Sequence, residues 1–241
     1  MPDHSFKAMI LAAGRGERMR PLTDTIPKPL LRVGNKMLIE YHLENLVLAG
    51  FKEIVINHAY LGDKIEEALG DGARYGVTIQ YSKETIKLET AGGIANALPY
   101  LNANHCNQPF LVVNGDIYCP IDFSSLIPDL ARLNARSNDD LAHLLLVNNP
   151  SHHPEGDFYL SEQGRIIATG QTKLTFSGIG IYRPQLFEQV TINCPTRLAP
   201  LLHQAVTNHQ VSGNFFSGEW IDIGTPDRLN TLDQQLRSQQ R

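Results

Sequence analysis

The sequence predicts an α/β fold with a largely parallel sheet. In the first half of the chain, apolar runs typical of buried strands alternate with stretches that have the apolar spacing of helices. The chain has 241 residues, of which 42% are apolar and 19% charged, and this composition fits a folded protein with a substantial core. Chains of this class and length are commonly one domain, so we expect a single domain over residues 1–241 without an appended repeat domain.

The predicted elements of the first half follow one another regularly. We expect strands in the segments KAMILAA, EIVINHA and VTIQYS and at residues 109–113. We expect helices in PLLRVGNKMLIEYHLENLVLAG and YLGDKIEEALG and at residues 91–101. Gly50 and Gly70 follow two of these helices and are typical helix ends.

The second half of the chain is less regular and predicts antiparallel additions to the sheet. LAHLLLVNN, DFYLSEQGRII and KLTFSGIGIYR have the composition of strands joined by turns. LAPLLHQAV predicts a helix, and GNFFSGEWIDIG predicts a hairpin or a pair of strands. The segment PDRLNTLDQQLRSQQR predicts a closing helix with Pro226 in its first turn.

Composition argues against several classes of protein. The net charge of −4 does not favour a broad nucleic-acid-binding surface, so we expect no nucleic acid partner. The first apolar run is too short for a signal peptide or a membrane span, so we expect no membrane association. Cys106, Cys119 and Cys194 are widely spaced and form no CxxC pair, which is typical of a cytoplasmic protein without disulfides or structural zinc.

The segment LAAGRGERMR follows the first predicted strand and combines glycines with arginines. Glycines at such a turn let backbone N–H groups approach anionic oxygens, so we expect this loop to hold a phosphate. Neither the P-loop pattern nor GxGxxG is complete, because Met19 stands where the second pattern requires glycine or alanine. Arg15, Arg18 and Arg20 are followed by Lys28, which lies between two prolines that stiffen the backbone.

The longer segment LAAGRGERMRPLTDTIPKPLLRVGNKMLIEYHL resembles the signature of the sugar-1-phosphate nucleotidyltransferases, which load a nucleoside monophosphate onto a sugar phosphate. LETAGGIANAL, VVNGDIY, FSGIGIY and WIDIGTPDRL are similar to further motifs of that family, in the same order along the chain. The resemblance implies a three-layer α/β/α, Rossmann-like fold with a mixed sheet, of the nucleotide-diphospho-sugar transferase type. It also implies Mg²⁺ as the cofactor.

Within that family, the segments EIVINHAYLG, KLETAGG, NNPSHHPEGDF and LTFSGIGIY are most similar to uridylyltransferases that act on N-acetylmuramic acid 1-phosphate in peptidoglycan recycling. This resemblance implies UTP and a sugar 1-phosphate as substrates and a UDP-sugar and pyrophosphate as products. Oligomeric state, monomer or dimer, is open.

Three alternatives to this function stay open at the level of the sequence. The first is an enzyme that uses another sugar 1-phosphate or phosphocholine with GTP, dTTP or CTP. The second is a nucleotide-sugar-binding regulator without turnover. The third is a dinucleotide-dependent oxidoreductase, which the missing third glycine of the first loop disfavours.

Two aspartates are the predicted ligands of Mg²⁺. Asp116 and Asp222 each end an apolar strand beside a glycine, in Asn-Gly-Asp and Ile-Asp-Ile-Gly. From the residues alone, an aspartate that forms a turn is the commoner explanation. The match to the family favours metal binding, and carboxylate oxygens suit Mg²⁺. Arg18 and Lys28 are the predicted catalytic cations on the triphosphate and the transition state.

The resemblance implies a nucleotide site between the first loop and a second segment that contains glycines. Tyr81 is expected near the base, and Asn114 near the ribose or the sugar hydroxyls, although an asparagine in a tight turn needs no ligand. The predicted nucleotide-binding residues are Ala13, Gly14, Gly16, Glu17, Tyr81, Thr90, Gly92 and Asn114.

The predicted sugar-binding residues are Glu155, Gly156, Asp157, Lys173 and Ser177, because the resemblance aligns them with sugar-facing stretches of the family. Many relatives carry Glu-Lys-Pro before the last of these strands, and this chain does not, so a contact between Lys173 and the phosphate stays open. The adjacent histidines at positions 152 and 153 are interpreted as loop residues and not as a metal site.

Overall fold

The computed structural model describes residues 5–103 and 107–239 of the chain. The helices are α1 (Leu38–Leu48), α2 (Gly62–Leu69), α3 (Glu89–Leu101), α4 (Ile127–Asn134), α5 (Leu198–Thr207) and α6 (Pro226–Gln239). The strands are β1 (Ala8–Leu11), β2 (Arg32–Val33), β3 (Lys36–Met37), β4 (Glu53–His58), β5 (Thr78–Lys83), β6 (Phe110–Asn114), β7 (Ile117–Tyr118), β8 (Ala142–Val147), β9 (Phe158–Leu160), β10 (Ile166–Ile167), β11 (Lys173–Tyr182), β12 (Val211–Phe215) and β13 (Ile221–Asp222). Cys106 and residues 1–4, on which part of the sequence prediction rests, lie outside the described residues.

Nine of these strands form one mixed sheet. Four parallel neighbours, in the order β5, β4, β1 and β6, make up one half of it. β11 then pairs antiparallel with both β6 and β8, and β12 lies parallel to β8. β9 pairs with the first residues of β11, and β10 pairs with β9. The prediction of a parallel first half with antiparallel additions is therefore confirmed.

Helices cover both faces of this sheet. On one face α1, α2 and α4 bury an apolar cluster to which they contribute Leu43, Ile65 and Leu130. On the opposite face α3 and α5 contribute Ile94 and Leu202 to a second cluster. These layers confirm the three-layer α/β/α fold. Within the part of the chain that the structure describes, no helix is long and apolar enough to cross a membrane.

A third apolar cluster ties the last helix to the start of the chain. Leu232 of α6 packs there with Met19, with Val33 of β2 and with Tyr118 of β7. Met19 is completely buried, although it follows a run of polar residues. The cluster therefore fixes the segment after β1 against β7 and α6, which are remote from it in sequence.

The segment PLLRVGNKMLIEYHLENLVLAG differs from the prediction of one helix. Its first part forms a hairpin of β2 and β3, and only Leu38–Leu48 is helical. Gly34 in the hairpin turn has a φ of +58°, a left-handed conformation that glycine adopts without steric cost. Apolar spacing alone could not separate the hairpin from the helix, because each strand of the hairpin has only two residues.

Two further elements differ from the sequence prediction. β12 and β13 do not pair with each other as a hairpin, since β12 pairs with β8 and β13 with β7. α4 was not predicted, because eight residues give few periods of apolar spacing and Pro128 resembles a turn signal. Proline is nevertheless tolerated in the first turn of a helix, where its missing N–H has no intrahelical partner.

A buried charge network joins α4, β8 and β12 on the side of the sheet that carries the antiparallel strands. Asp140 lies 3.0 Å from Nη1 of Arg132 and 2.7 Å from Nη2 of Arg165. The neighbouring His143 is 2% exposed, and its Nδ1 lies 3.0 Å from Oγ of Ser212. Burial lowers the pKa of His143 to about 4, so the folded protein keeps this ring neutral at neutral pH.

We expect the free energy of unfolding to fall as the pH drops from neutrality towards 4. The unfolded chain protonates His143 near pH 6.5 and the folded chain only near 4, so the unfolded state binds more protons in this window. For one histidine the difference corresponds to about 3 kcal/mol. Urea unfolding over this pH range should show a shallower pH dependence in His143→Gln, which cannot titrate. Equal slopes in the two proteins would show that His143 is not the cause.

Candidate active site

A cavity of about 940 Å³ opens at the carboxyl ends of the parallel strands. Leu11 of β1, Asn57 of β4 and Asn114 of β6 line it. The chain leaves β1 towards β4 on one side and later returns to β6 on the other, which creates the crevice where α/β sheets bind ligands. The predicted site residues that line it are Ala13, Gly14, Gly16, Glu17, Arg18, Lys28, Thr90, Asn114 and Asp116.

The first loop, residues 12–19, forms one wall of this cavity. Gly16 has a φ of +67°, and a Cβ there would lie 3.0 Å from Cγ2 of Thr23 and 3.3 Å from Cβ of Lys28. A Cβ on Gly14 would meet nothing within 4 Å. Gly16 therefore allows the left-handed backbone conformation and the close approach of Lys28, whereas Gly14 leaves open space at the wall of the cavity.

The three arginines of the sequence motif occupy different places. Arg15 lines the cavity with its guanidinium carbon 4.8 Å from the ring centre of Tyr60. Arg20 is exposed, and its Nε donates to Oδ1 of Asp24 at 2.6 Å. Arg18 lines the cavity and forms no ion pair with any residue that the structure describes. Arg18 is therefore a cation available to an anionic ligand.

Lys28 and Asp116 meet inside the cavity. Nζ of Lys28 donates to Oδ2 of Asp116 at 2.8 Å. The lysine side chain is only 7% exposed, whereas the aspartate side chain is 46% exposed. Lys28 begins a short 3-10 turn between Pro27 and Pro29, which restrict its backbone. The site therefore holds a positioned, nearly buried cation beside a carboxylate that solvent and ligands can reach.

Asp222 does not itself line the cavity but lies at its edge on a separate strand, beside the cavity-lining Gly224. β13 pairs antiparallel with β7, so that Asp222 lies opposite Ile117, and the N–H of Ile223 donates to the carbonyl of Asp116 at 2.9 Å. Oδ2 of Asp222 lies 3.1 Å from Nη2 of Arg228 and 3.1 Å from Nε2 of His152. His152 lies in a loop, as predicted, and contacts the carboxylate of Asp222.

The two aspartates fit a Mg²⁺ site that a substrate completes. Among the residues with described coordinates, no group of three or more histidine, cysteine, aspartate or glutamate side chains could hold a metal ion. Mg²⁺ is commonly bound by only one or two protein carboxylates together with water and substrate phosphate oxygens. Asp116, in the turn before β7, and Asp222, opposite Ile117 on β13, supply two carboxylates of this kind, which are too few for a structural zinc site.

A buried histidine on α1 supports the strand that follows Asp116. His42 is completely buried, and its Nε2 lies 2.8 Å from the carbonyl oxygen of Ile117. Burial lowers the pKa of His42 to about 4, so the neutral ring donates its Nε2–H to that carbonyl. The apolar spacing of α1 indicated only core packing, and no sequence pattern pointed to His42.

The cavity also has a polar floor that no sequence motif indicated. The Asn57 side chain accepts a hydrogen bond from the N–H of Ala12 at 2.9 Å and donates to Oε1 of Glu84 at 2.7 Å. Oε2 of Glu84 accepts from the N–H of Leu88 at 3.2 Å. Burial raises the pKa of the Glu84 carboxyl. These bonds join the ends of β1 and β4 to the segment that leads into α3.

Gly93→Ala should destabilise the protein by about 2 kcal/mol, because the new methyl group has no room. Its Cβ would lie 2.7 Å from Oε1 of Glu84 and 2.9 Å from Nδ2 of Asn57, so one bond of the polar floor must break. Thermal unfolding compares this variant with Gly14→Ala, whose added Cβ meets nothing within 4 Å. Equal melting temperatures of the two variants would contradict the prediction.

The segment predicted to hold the nucleoside is the start of α3, in agreement with the helix predicted at residues 91–101. Thr90 lines the cavity, but Gly92 lies inside α3, where a Cβ would come within 2.5 Å of the carbonyl oxygen of Cys194. Gly92 thus allows a close approach of α3 to residues 194–196. Tyr81 does not line the cavity, since its hydroxyl donates to the carbonyl of Gly70 at 2.6 Å and its ring packs in the cluster of α1 and α2. The structure therefore places Gly92 and Tyr81 outside the cavity.

The five predicted sugar-binding residues do not line the cavity either. Glu155 is exposed, and a Cβ on Gly156 would lie 2.7 Å from Oδ1 of Asn149. Asp157 accepts a hydrogen bond from the N–H of Phe176 at 2.8 Å, which holds its loop against β11. These three residues therefore shape the loop that carries His152.

Ser177 and Lys173 also have structural partners. Ser177 is completely buried, and its carbonyl accepts from Nε1 of Trp220 at 2.8 Å. Nζ of Lys173 lies 5.5 Å from the ring centre of Tyr159, which is a cation–π contact. Gly178, next to Ser177, lies against Asn114 of the cavity, since a Cβ there would come within 2.6 Å of Nδ2 of Asn114.

Comparison with known proteins gives consistent results. The family model described as nucleotidyl transferase matches residues 7–239. The chain is 54% identical over 227 residues to N-acetylmuramate alpha-1-phosphate uridylyltransferase of Neisseria meningitidis serogroup B, which covers 93% of this chain and 95% of that protein. It is 30% identical over 243 residues to mannose-1-phosphate guanyltransferase beta-B of Xenopus laevis, of whose length it spans 65%.

Solved structures agree on the fold. A Bacillus anthracis structure assigned as a glucose-1-phosphate thymidylyltransferase superposes with a TM-score of 0.82 at 20% identity, over 97% of this chain and 96% of that one. HddC from Yersinia pseudotuberculosis superposes with a TM-score of 0.73 at 22% identity, over 95% of this chain and 99% of that one. Together with the match to the family model over nearly all of its length, these findings show that the chain belongs to the nucleotidyl transferase family and is a nucleotidyltransferase.

Proposed function

We propose that this enzyme transfers UMP from UTP to N-acetylmuramic acid 1-phosphate, giving UDP-N-acetylmuramic acid and pyrophosphate, as a cytoplasmic step of peptidoglycan recycling. The observation that carries the proposal is the meeting of the first loop, Lys28 and Asp116 in one cavity. The choice of substrates rests on the 54% identity to a relative named for this activity. The free thiols Cys119 and Cys194 agree with a reducing compartment.

The reaction needs charge neutralisation and alignment more than it needs a protein nucleophile. An oxygen of the sugar phosphate forms a bond to the α-phosphorus of UTP. The bond from that phosphorus to the oxygen bridging to the β-phosphate breaks, and pyrophosphate leaves with the electron pair. The attacking phosphate is already an anion, so the protein must bring two anions together and stabilise the charge on the phosphoryl oxygens.

The residues around the cavity suit these tasks. Backbone N–H groups of the first loop, beside the open space at Gly14, would hold the triphosphate. Arg18 and Lys28 would neutralise the α-phosphoryl group, because one is unpaired among the described residues and the other is nearly buried. Asp116 and Asp222 would hold Mg²⁺, which when bound neutralises charge on phosphoryl oxygens as a Lewis acid.

Guanylyl transfer to mannose 1-phosphate is the second candidate, because the Xenopus relative matches over 97% of this chain. Its 30% identity is far below the 54% of the uridylyltransferase relative, so we prefer uridylyl transfer. A regulator without turnover is disfavoured, since Lys28 pairs with Asp116, and Asp222 lies opposite Ile117, the residue that follows Asp116.

Incubation of the purified enzyme with Mg²⁺, UTP and an equimolar mixture of sugar 1-phosphates tests the proposal, with mass identification of the nucleotide-sugar formed. A parallel reaction contains GTP in place of UTP. We expect UDP-N-acetylmuramic acid and release of pyrophosphate. GDP-mannose as the main product would select the second candidate. Saturable binding of a nucleotide-sugar without release of pyrophosphate would overturn both.

A further inference from the structure

We infer that Arg228 binds the phosphate of the sugar 1-phosphate, which then lies between Arg228 and Arg18, the cation that we assign to the α-phosphoryl group of UTP. Arg228 lies in the first turn of α6, within the motif WIDIGTPDRL but not among the predicted site residues. The inference rests on the proposed function, because it assigns a residue to one of the two proposed substrates.

The first observation is that two guanidinium groups meet above one glycine. A Cβ on Gly224 would collide with Nη2 of Arg228 and would lie 3.1 Å from Nη2 of Arg18. Oδ1 of Asp222 is also 3.1 Å from that point. Gly224 itself lines the cavity, so the two guanidinium groups flank the cavity wall at the position of the glycine. Only glycine leaves this space, which is continuous with the site of Lys28 and Asp116.

The second observation is the balance of charge around Gly224. Arg228 pairs with Asp222 at 3.1 Å, whereas Arg18 has no acidic partner within the described ranges. Lys28 pairs with Asp116. Of the two guanidinium groups beside Gly224, only that of Arg228 therefore has a carboxylate partner, and an anion bound between them would reduce their mutual repulsion. Arginine suits this task because its planar fork binds phosphate through two parallel hydrogen bonds.

The third observation is that the protein does not use all donors of Arg228. Its Nη1 lies 2.9 Å from Nδ1 and 2.7 Å from Nε2 of His152, and its Nη2 faces Asp222. Nε is buried and finds no hydrogen-bond partner among the described residues. A buried donor without a partner is costly, and it is commonly explained by function or by an absent ligand. The arginine side chain is 22% exposed, so a ligand can reach its outer edge.

The neighbours of Arg228 indicate which phosphate it binds. The first loop lines the cavity on the side that we assign to the triphosphate, whereas Arg228 borders the cavity at Gly224 and contacts His152, in the loop before β9. Lys173, the lysine that the sequence offered for the sugar phosphate, is instead held over the ring of Tyr159. Arg228 therefore supplies the positive charge on the sugar side of the site.

Steady-state kinetics of Arg228→Gln tests this inference with UTP and N-acetylmuramic acid 1-phosphate. We expect the KM of the sugar phosphate to rise about 10- to 100-fold, as for loss of one charged hydrogen-bonding partner, while the KM of UTP stays within about 2-fold. Arg228→Lys should give an intermediate KM, because it retains the charge but loses the fork. Arg237→Gln is the matched control, since Arg237 lies on the same helix and pairs with Asp233 at 2.7 Å on the surface.

Other outcomes are equally decisive. An unchanged KM of the sugar phosphate in both Arg228 variants would overturn the inference, as would a rise in the KM of UTP alone. A higher Mg²⁺ requirement with an unchanged KM of the sugar phosphate would show that Arg228 only holds Asp222, and would also overturn it. If the wild-type enzyme does not turn over this pair of substrates, the proposed function is wrong. Failure of the present inference is distinct, because it requires wild-type turnover together with an unchanged KM of the sugar phosphate in the variants.

Discussion

Replacement of Asp116 by asparagine should lower the turnover number by about 1000-fold or more, because it removes the charge that would bind the metal ion in the cavity. The substitution keeps the size of the side chain. Asp116 is 46% exposed, but its loss of charge leaves the nearly buried Lys28 ammonium with only a neutral acceptor, so the free energy of unfolding should fall by about 2 kcal/mol. Pyrophosphate release measures the first effect, and thermal unfolding followed by circular dichroism measures the second.

Asp63→Asn is the matched control for this experiment. Asp63 is 80% exposed on α2 and pairs with Lys83 at 3.2 Å, outside the cavity. It carries the same change of charge, so its turnover should equal that of the wild type. Turnover that Asp116→Asn leaves undiminished would remove Asp116 from the site and would support the alternative that Asn-Gly-Asp is simply a turn.

The parallel half of the fold could be predicted because its signals are local. β1, β4 and β6 contain short apolar runs, β5 alternates apolar and polar residues, and each intervening helix repeats its apolar spacing for two turns or more. The hairpin of β2 and β3 could not be predicted in this way, since each strand has only two residues. Gly34, the turn residue, is a turn signal in the sequence, but the residues on both sides of it also fit the apolar spacing of one longer helix.

The candidate site could be predicted where its residues are contiguous in the motif. The first loop and Lys28 lie within one segment, and they line one cavity in the structure. The polar floor could not be predicted, because Asn57, Glu84 and Gly93 come from three elements and depend on close packing. Arg228 lies in the same motif as Asp222, but the sequence does not show that the turn between β13 and α6 brings its guanidinium group onto that carboxylate.

Tyr81 shows how the alternation of side chains along a strand decides a site residue. Ile79 and Tyr81 are two residues apart on β5 and face the same side of the sheet, the side covered by α1 and α2. Tyr81 was expected near the base because it lies close to the end of its strand. The alternation instead directs its ring towards α1 and α2, where it packs against the first apolar cluster. The spacing of two residues from the apolar Ile79 is the sequence signal for this direction.

Lys28→Met should lower the turnover number by about 100-fold or more, since it removes one positioned charge from the developing phosphoryl group. The KM of UTP should change much less, because the first loop and Arg18 remain. The lysine side chain is only 7% exposed, and methionine fills nearly the same buried volume. Steady-state kinetics of pyrophosphate release gives both constants.

The thermal stability of Lys28→Met separates a catalytic charge from a residue that merely shapes the turn between two prolines. Removal of a nearly buried ammonium relieves its desolvation but leaves Asp116 without its partner at 2.8 Å. These effects oppose each other, and Asp116 can be hydrated, so the melting temperature should stay close to that of the wild type. Lys52→Met, at an exposed lysine outside the cavity, controls for the substitution itself. A lower melting temperature with an unchanged turnover number would mean that Lys28 acts only on the fold, and the electrostatic account of this site would then have to rest on Arg18 and the metal ion alone.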